Sequence, residues 1–427
     1  MIKKIIDLHI HSKYSRACSP ELELPKIAAS CLVKGINICA TGDFTHPLWF
    51  NHIKDSLEEI GKSGLYQLKN GTENFKLKMV KFILSTEVAC IYKHKDKCRR
   101  LHLVILAPNI AAVEKFNIEL INRGVNLKSD GRPIMGLSAK EVLKIILAID
   151  ERFLMIPAHA WTPWFSVFGS KSGYDTLEDC FEELTPHIRA IETGLSSDPT
   201  MNHRLSKLDN IILVSNSDAH SLENLGREAN ILSFENEKDI SFDEIKRIII
   251  SGDRKKFLST IEFYPEEGKY HYDGHLVCEV CLSPKETKKQ KYLCPKCKKK
   301  LTVGVLHRVD DLADREENKI QKNKFIPHRY IVPLREIIAK VFEVGVKSKK
   351  VNIEYQSLIK NLGSEFKILL ESDIAEINKF SSDKNIVLAI SNMRSGKVTA
   401  RPGYDGKFGQ IDVLAKVSHK IRQINLF

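Results

Sequence analysis

Histidines and carboxylates recur where apolar segments of this chain end. Asp7-Leu8-His9-Ile10-His11 closes one such segment, and Thr41-Gly42-Asp43-Phe44-Thr45-His46 follows a second. Glu87 follows a third, while Ile156-Pro157-Ala158-His159 and Ser215-Asn216-Ser217-Asp218-Ala219-His220 close two later ones. Alternation along an extended strand puts His9 and His11 on one face. His102 begins its segment instead, but residues 91–100 are too short for a crossover helix, which predicts a hairpin that returns His102 to the side of Glu87. Imidazole combined with carboxylate suits zinc, manganese or iron, whereas magnesium and calcium favour oxygen alone. Two such ions about 3.5–4 Å apart can activate a water and stabilise a leaving oxygen, the chemistry of phosphoesterases and nucleases. No Ser-His-Asp or Cys-His arrangement competes with this one.

A second group is built from thiols. Six of the ten cysteines are scattered through the first half, and four form Cys278-x-x-Cys281 and Cys294-x-x-Cys297, with twelve residues between the pairs. That spacing predicts a structural four-thiolate zinc site with no open coordination position. Residues 285–300 add eight lysines against one glutamate, a charge distribution suited to phosphate contact.

These side chains need strands to carry them. Strand-like segments fall at 4–9, 36–41, 81–86, 102–106, 152–157, 188–193 and 211–215, with helical periodicity at 24–34, 111–123, 138–150 and 201–208. The alternation predicts a (β/α)-type barrel, whose active sites gather at the carboxyl ends of the strands; an open doubly wound sheet is the alternative, although no Gly-rich phosphate loop follows the first strand. After the cysteine segment, residues 311–380 show helical spacing, and 386–390 with 397–400 suggest a hairpin around Ser395-Gly396. At 43% hydrophobic and 28% charged, the 427-residue chain has the composition of a globular protein. No apolar run reaches the ~20 residues of a membrane span, and the start lacks a secretory signal, so a cytoplasmic, nucleoid-associated location is expected. The net charge of +12 favours a polyanionic partner.

The Asp-x-His-x-His start and the Ser-Asp-Ala-His end resemble the polymerase and histidinol phosphatase (PHP) superfamily of metal-dependent phosphoesterases. Thr41-Gly42-Asp43-Phe44-Thr45-His46-Pro47, Pro157-Ala158-His159-Ala160-Trp161-Thr162-Pro163-Trp164-Phe165, Glu192-Thr193-Gly194-Leu195-Ser196-Ser197-Asp198-Pro199 and Asn216-Ser217-Asp218-Ala219-His220-Ser221 resemble one branch of it, endonuclease Q, over nearly the whole chain. Two positions depart from the superfamily pattern. Cys18 stands where polymerase-associated members often carry an acidic ligand, and Gly42-Asp43-Phe44 replaces Thr-Asp-His, leaving Asp43 or the displaced His46 as ligand, with Asp43 favoured.

The resemblance implies a distorted (β/α)7 PHP barrel over 1–265, a four-cysteine zinc-binding segment over 266–310, and a mainly helical domain over 311–427. It implies cleavage of DNA 5′ to deaminated bases (uracil, hypoxanthine, xanthine) and to abasic sites by metal-activated water, leaving 3′-hydroxyl and 5′-phosphate ends. His9, His11, Asp43, Glu87, His102, His159, Asp218 and His220 would hold two or three divalent ions, with Glu87 as bridge and Glu87, His159 and Asp218 at the centre of the chemistry. Zinc is the expected ion, with manganese or magnesium able to serve in activity, beside one structural zinc on the cysteines. Trp161, Trp164, Phe165 and Phe168 on a Gly/Ser-bearing loop, with Lys171, Arg204 and Arg227, are the expected DNA contacts. The terminal Gln423-Ile424-Asn425-Leu426-Phe427 resembles the pentapeptide that docks on the bacterial sliding clamp. A PHP phosphatase acting on a small phosphomonoester would not need the lysine-rich cysteine segment. A DNA-binding accessory protein with a decayed metal site is a rival that Cys18 and Phe44 keep open.

Overall fold

The computed structural model describes residues 1–69 and 75–414. They divide into two compact units: Met1–Leu32, Ile36–Thr260 and Val305–His328 form the first, and Val33–Gly35, Ile261–Gly304 and the described residues from Arg329 form the second. Residues 305–328 join the first unit, and the cysteine segment groups with the C-terminal helices. Side-chain ties explain the return of 305–328. Arg308 donates to the carbonyls of Phe168 and Tyr174, both at 3.0 Å, and Arg315 pairs with Asp209.

The first unit carries twelve strands that matter here: β1 (Ile2–Asp7), β2 (Ile38–Ala40), β3 (Leu57–Glu59), β4 (Leu65–Leu68), β5 (Lys81–Ile83), β6 (Ser85–His94), β7 (Lys97–Leu106), β8 (Ile134–Met135), β9 (Leu154–Pro157), β10 (Ala190–Glu192), β11 (Ile212–Val214) and β12 (Ala229–Phe234). Helices α1 (Leu24–Lys34), α2 (Pro47–Ser56), α3 (Ile110–Asn122) and α4 (Ala139–Ile149) separate several of them. Within the largest sheet the order is β12-β1-β2-β5-β4-β3; β8-β6-β7-β9 and β10-β11 form two further sheets. Every predicted strand of this region is present, as mixed α/β architecture. The ring of ladders, however, is not closed. One edge of β1 pairs antiparallel with β12. Toward β11, side-chain amides replace ladder bonds: Leu8 N donates to Asn216 Oδ1 at 2.9 Å and Ser215 N to Asn230 Oδ1 at 3.0 Å. Only an isolated bridge, Ile10 to Ala219, joins the two strand ends in parallel.

The predicted hairpin is present as β6 and β7, ten residues each, antiparallel, with Ala89 opposite His102. Two elements differ from expectation. The 201–208 helix is broken into a short helix, Pro199–Asn202, and a tight turn, Ser206–Leu208. Residues 386–390 are helical within Lys384–Arg394, and 399–401 pair instead with 410–412. Asp383 caps that helix through its side chain, and Ile386, Ala389, Ile390 and Met393 bury one face at helical spacing. In the second unit, Leu334–Phe342 and Lys349–Leu362 are the expected helices. No helix among the described residues is long and apolar enough to cross a membrane.

Candidate metal centre

Glu87, near the start of β6, is fully buried at the middle of the site. Its Oε1 lies 2.9 Å from His102 Nδ1 and 3.2 Å from His159 Nε2; its Oε2 lies 2.8 Å from Arg132 Nη1 and 3.3 Å from His11 Nε2. On the other side, Asp218 Oδ1 lies 3.1 Å from His11 Nε2 and 3.6 Å from His9 Nε2. Two compact ligand groups result, His9 with His11, Glu87 and Asp218, and Glu87 with His102 and His159. His9 Nε2, His11 Nε2 and Asp218 Oδ1 are buried and have no hydrogen-bond partner. Buried polar atoms are nearly always satisfied, so three orphans aimed at one point fit a cation. The imidazole–carboxylate donor set fits one of transition-metal type.

The backs of the ligands are fixed. His9 Nδ1 lies 3.1 Å from both oxygens of Glu192, which fixes the ring with Nε2 turned to the site. Glu192 also accepts from the backbone N–H of His159 at 2.8 Å and from Asn216 Nδ2 at 2.9 Å, tying three strand ends together. Asp7, buried at the end of β1, accepts from Ser217 N and Gly226 N, both at 3.1 Å, and burial pushes its carboxyl up to about 6. His159, Asp218 and Asp43 hold left-handed φ values of 29°, 46° and 48°, a strain tolerated where surrounding structure imposes it. Gly194 is required beside His159, because a Cβ there would lie 2.6 Å from the histidine Cβ.

The charges compensate one another. Burial disfavours imidazolium at His9, yet Glu192, Glu87 and Asp218 hold its pKa well above the ordinary value. Burial is likewise outweighed at His11 by Asp43 and Asp218. Glu87 and Asp218, despite burial, are held well below the carboxylate range by the surrounding cations. His102 is the opposite case, since burial lowers it to about 4.

Several predicted site residues take other places. Asp43 is committed away from the ion position. Its Oδ1 faces His11 Nδ1 at 3.0 Å, and its Oδ2 accepts from Ser12 N at 2.7 Å, Ser12 Oγ at 2.7 Å and Ser15 Oγ at 2.8 Å. It orients His11 and stands outside both ligand groups. His46 stacks on Tyr14 and is also outside them. The His220 ring packs 4.7 Å from that of His11, but its Nδ1 turns to the Asp218 carbonyl at 2.8 Å. Burial pushes the Cys18 thiol up to about 12, keeping it protonated.

Among the expected DNA contacts, Trp161 is completely buried, with its indole N–H bonded to Asn202 Oδ1, and Phe168 packs against it in the core. Arg204 is spent on Asp310 at 2.8 Å. Arg227 donates to the carbonyls of Ser217 and Asp218 and so braces the ligand loop. Trp164 and Lys171 are exposed, and Phe165 packs on His102 with ring centroids 4.6 Å apart.

The thiol site also differs from expectation. The compact group is His275, Cys278, Cys294 and Cys297. Cys281 lies outside it, its Sγ 3.9 Å from the Pro402 carbonyl. The hairpin register explains the exchange: His275 opposes Val280 and Gly274 opposes Cys281, so alternation sends Cys281 to the other face.

Sequence reasoning also missed Glu192, Arg132 and His275. Glu192 ends a predicted strand and obeyed the rule applied to the others, and His275-x-x-Cys278 has ligand spacing; nothing in sequence marks Arg132.

The chain is similar to several known proteins. Residues 333–397 match the MJ0043 C-terminal domain family. The uncharacterized protein MJ0043 of Methanocaldococcus jannaschii is 32% identical over 258 residues, 59% of this chain, and the chain spans only 31% of that protein's length. The uncharacterized protein YqxK of Bacillus subtilis is 28% identical over 96% of this chain and its own full length. Two crystal structures superpose over nearly everything. The lesion-specific endonuclease PfuEndoQ from Pyrococcus furiosus gives a TM-score of 0.83 at 30% identity, covering 97% of this chain and 98% of its own. Endonuclease Q in complex with a 27-mer duplex substrate with an abasic lesion at the active site gives 0.81 at 31%, covering 98% and 100%. The likeness to these two structures over nearly the full chain marks an endonuclease. The chain belongs to the endonuclease Q family.

Proposed function

We propose that this enzyme repairs DNA by cutting the phosphodiester bond 5′ to deaminated bases (uracil, hypoxanthine, xanthine) and to abasic sites, leaving 3′-hydroxyl and 5′-phosphate ends. The observation that carries the reading is the set of orphaned atoms His9 Nε2, His11 Nε2 and Asp218 Oδ1 converging beside Glu87. Similarity to an endonuclease Q bound to abasic duplex supplies the substrate class. Divalent ions bound there, zinc foremost, would lower the pKa of a water and neutralise charge on the phosphate. His9, His11 and Asp218 would hold one ion, His102 and His159 another, with Glu87 between them; Asp43 and Glu192 keep the imidazoles in the required tautomers. The net charge of +12 supplies sequence-independent attraction to the duplex. Residues 1–265 would act in catalysis and 266–310 hold a structural zinc. In the 311–427 segment, Gln423-Ile424-Asn425-Leu426-Phe427 would engage the sliding clamp; this peptide lies outside the described residues.

Labelled duplexes carrying uracil, hypoxanthine, xanthine, an abasic site or normal pairs test the reading. Lesion duplexes should be cut on the 5′ side and normal duplex left intact. Asp218→Asn should lower cleavage by about 10³-fold or more while leaving duplex binding nearly unchanged. Cutting at the wild-type rate by that variant would show that the reaction centre lies elsewhere.

A further inference from the structure

Arg132 sits on the loop between α3 and β8, and that loop is seated on the wall of the site. Gly131 N donates to the Tyr14 carbonyl at 3.0 Å, and the Gly131 carbonyl accepts from Thr45 Oγ1 at 3.3 Å. Asp130 Oδ1 accepts from the backbone N–H of Arg132 at 3.0 Å and of Arg16 at 3.3 Å. The approach is so close that a Cβ on Gly131 would stand 2.3 Å from Ser15 Oγ and 2.4 Å from Asp43 Oδ2. From this anchored backbone, Arg132 Nη1 reaches Glu87 Oε2 at 2.8 Å.

Glu87 is completely buried, but the Arg132 side chain remains 21% exposed. One guanidinium nitrogen holds the carboxylate, while Nε and Nη2 have no protein partner among the described residues and are not sealed from solvent. The guanidinium thus reaches from the buried ligands toward solvent. Arg227, by contrast, spends Nε and Nη2 on backbone carbonyls. A guanidinium is planar, permanently charged and matched to phosphate oxygens. Held from behind by a carboxylate, it loses little freedom when an oxyanion arrives.

We infer that Arg132 is a catalytic residue, donating from Nε and Nη2 to a non-bridging oxygen of the phosphodiester being cut while Glu87 fixes its orientation. Negative charge grows on those oxygens as the nucleophile adds to phosphorus, and a preorganised donor there stabilises the transition state more than the bound ground state. This inference rests on the reading of the His–Glu–Asp cluster as the cleavage centre.

The test compares wild type, Arg132→Ala, Arg132→Lys and Asp218→Asn in single-turnover cleavage of a duplex with one abasic site, alongside metal content and duplex binding in chelator. Arg132→Ala should cut about 10²–10³-fold more slowly, with metal content and duplex affinity close to wild type. Added guanidinium ion should restore part of the lost rate, and Arg132→Lys, which folds with the charge kept, should recover only part of it. Three results would overturn the inference: Arg132→Ala cutting near the wild-type rate while Asp218→Asn is inactive; loss of rate together with loss of metal and no rescue by guanidinium; or full activity in Arg132→Lys. Full activity in Asp218→Asn would instead overturn the reading of the cluster.

Discussion

Glu87 belongs to both ligand groups, and His9 and His11 face it and Asp218 as cations when no ion intervenes. Metal must therefore displace protons. With both imidazole pKa values held well above the ordinary value, uptake at pH 7 should release about two protons. Calorimetric titration in buffers of different ionisation enthalpy reads that number, and buffer-independent heats would contradict it. A second histidine reports on stability, away from the metals. His203 is buried, stacks on Phe325 with centroids 3.5 Å apart, and has Nδ1 without a partner. Burial lowers its pKa to about 4, with Arg315 adding to the effect. The folded chain then binds fewer protons than the unfolded chain between about pH 6.5 and 4, so stability present above that window is lost as pH falls through it. Relative to His203→Gln, the wild type should lose about 2 kcal/mol more between pH 7 and 5, measurable by denaturant unfolding at the two values.

Elements carried most of the site in a form that sequence could express. The apolar segments ending in His9, Glu87, His159 and Asp218 all became strands or their immediate extensions, because buried β-strands need continuous apolar residues and strand ends are where polar groups emerge. The β6–β7 hairpin followed from a loop too short for any crossover. What escaped was set by side-chain geometry across elements. Asp43 looks like a ligand in sequence, but three hydroxyl and amide donors and one imidazole already occupy it. Trp161 and Phe168 look like a loop platform but pack as core, because Asn202 supplies a buried partner for the indole N–H. The barrel failed to close for a similar reason, two asparagine amides standing in for backbone rungs. Cys281 looks like a fourth thiolate in sequence, but spacing does not reveal which face a hairpin residue takes. Cys294→Ser in the full chain should therefore release the ion held by the thiol group, while Cys281→Ser retains it; metal analysis of the purified variants decides, and equal loss from both would restore the four-thiolate arrangement.

On the scale of the whole molecule, the chain leaves the first unit after Thr260 and returns to it at Val305. Residues 261–304 thus interrupt the first unit along the chain and group with the described residues from Arg329, while 305–328 belong with what precedes 261. Val305, His307 and Val309 are buried along the helix that opens this return, and Arg308 and Arg315 fasten it. Cutting the gene at a boundary chosen from composition, near 265, would remove residues 305–328 from the first unit. That fragment should be insoluble or molten, read by broad amide spectra. A chain in which a flexible linker joins Thr260 to Val305 and ends after His328 should give the sharper, dispersed spectrum. Modularity in this protein is spatial and not serial: the unit of folding is discontinuous along the gene, and any exchange of parts between relatives must trade two segments at once.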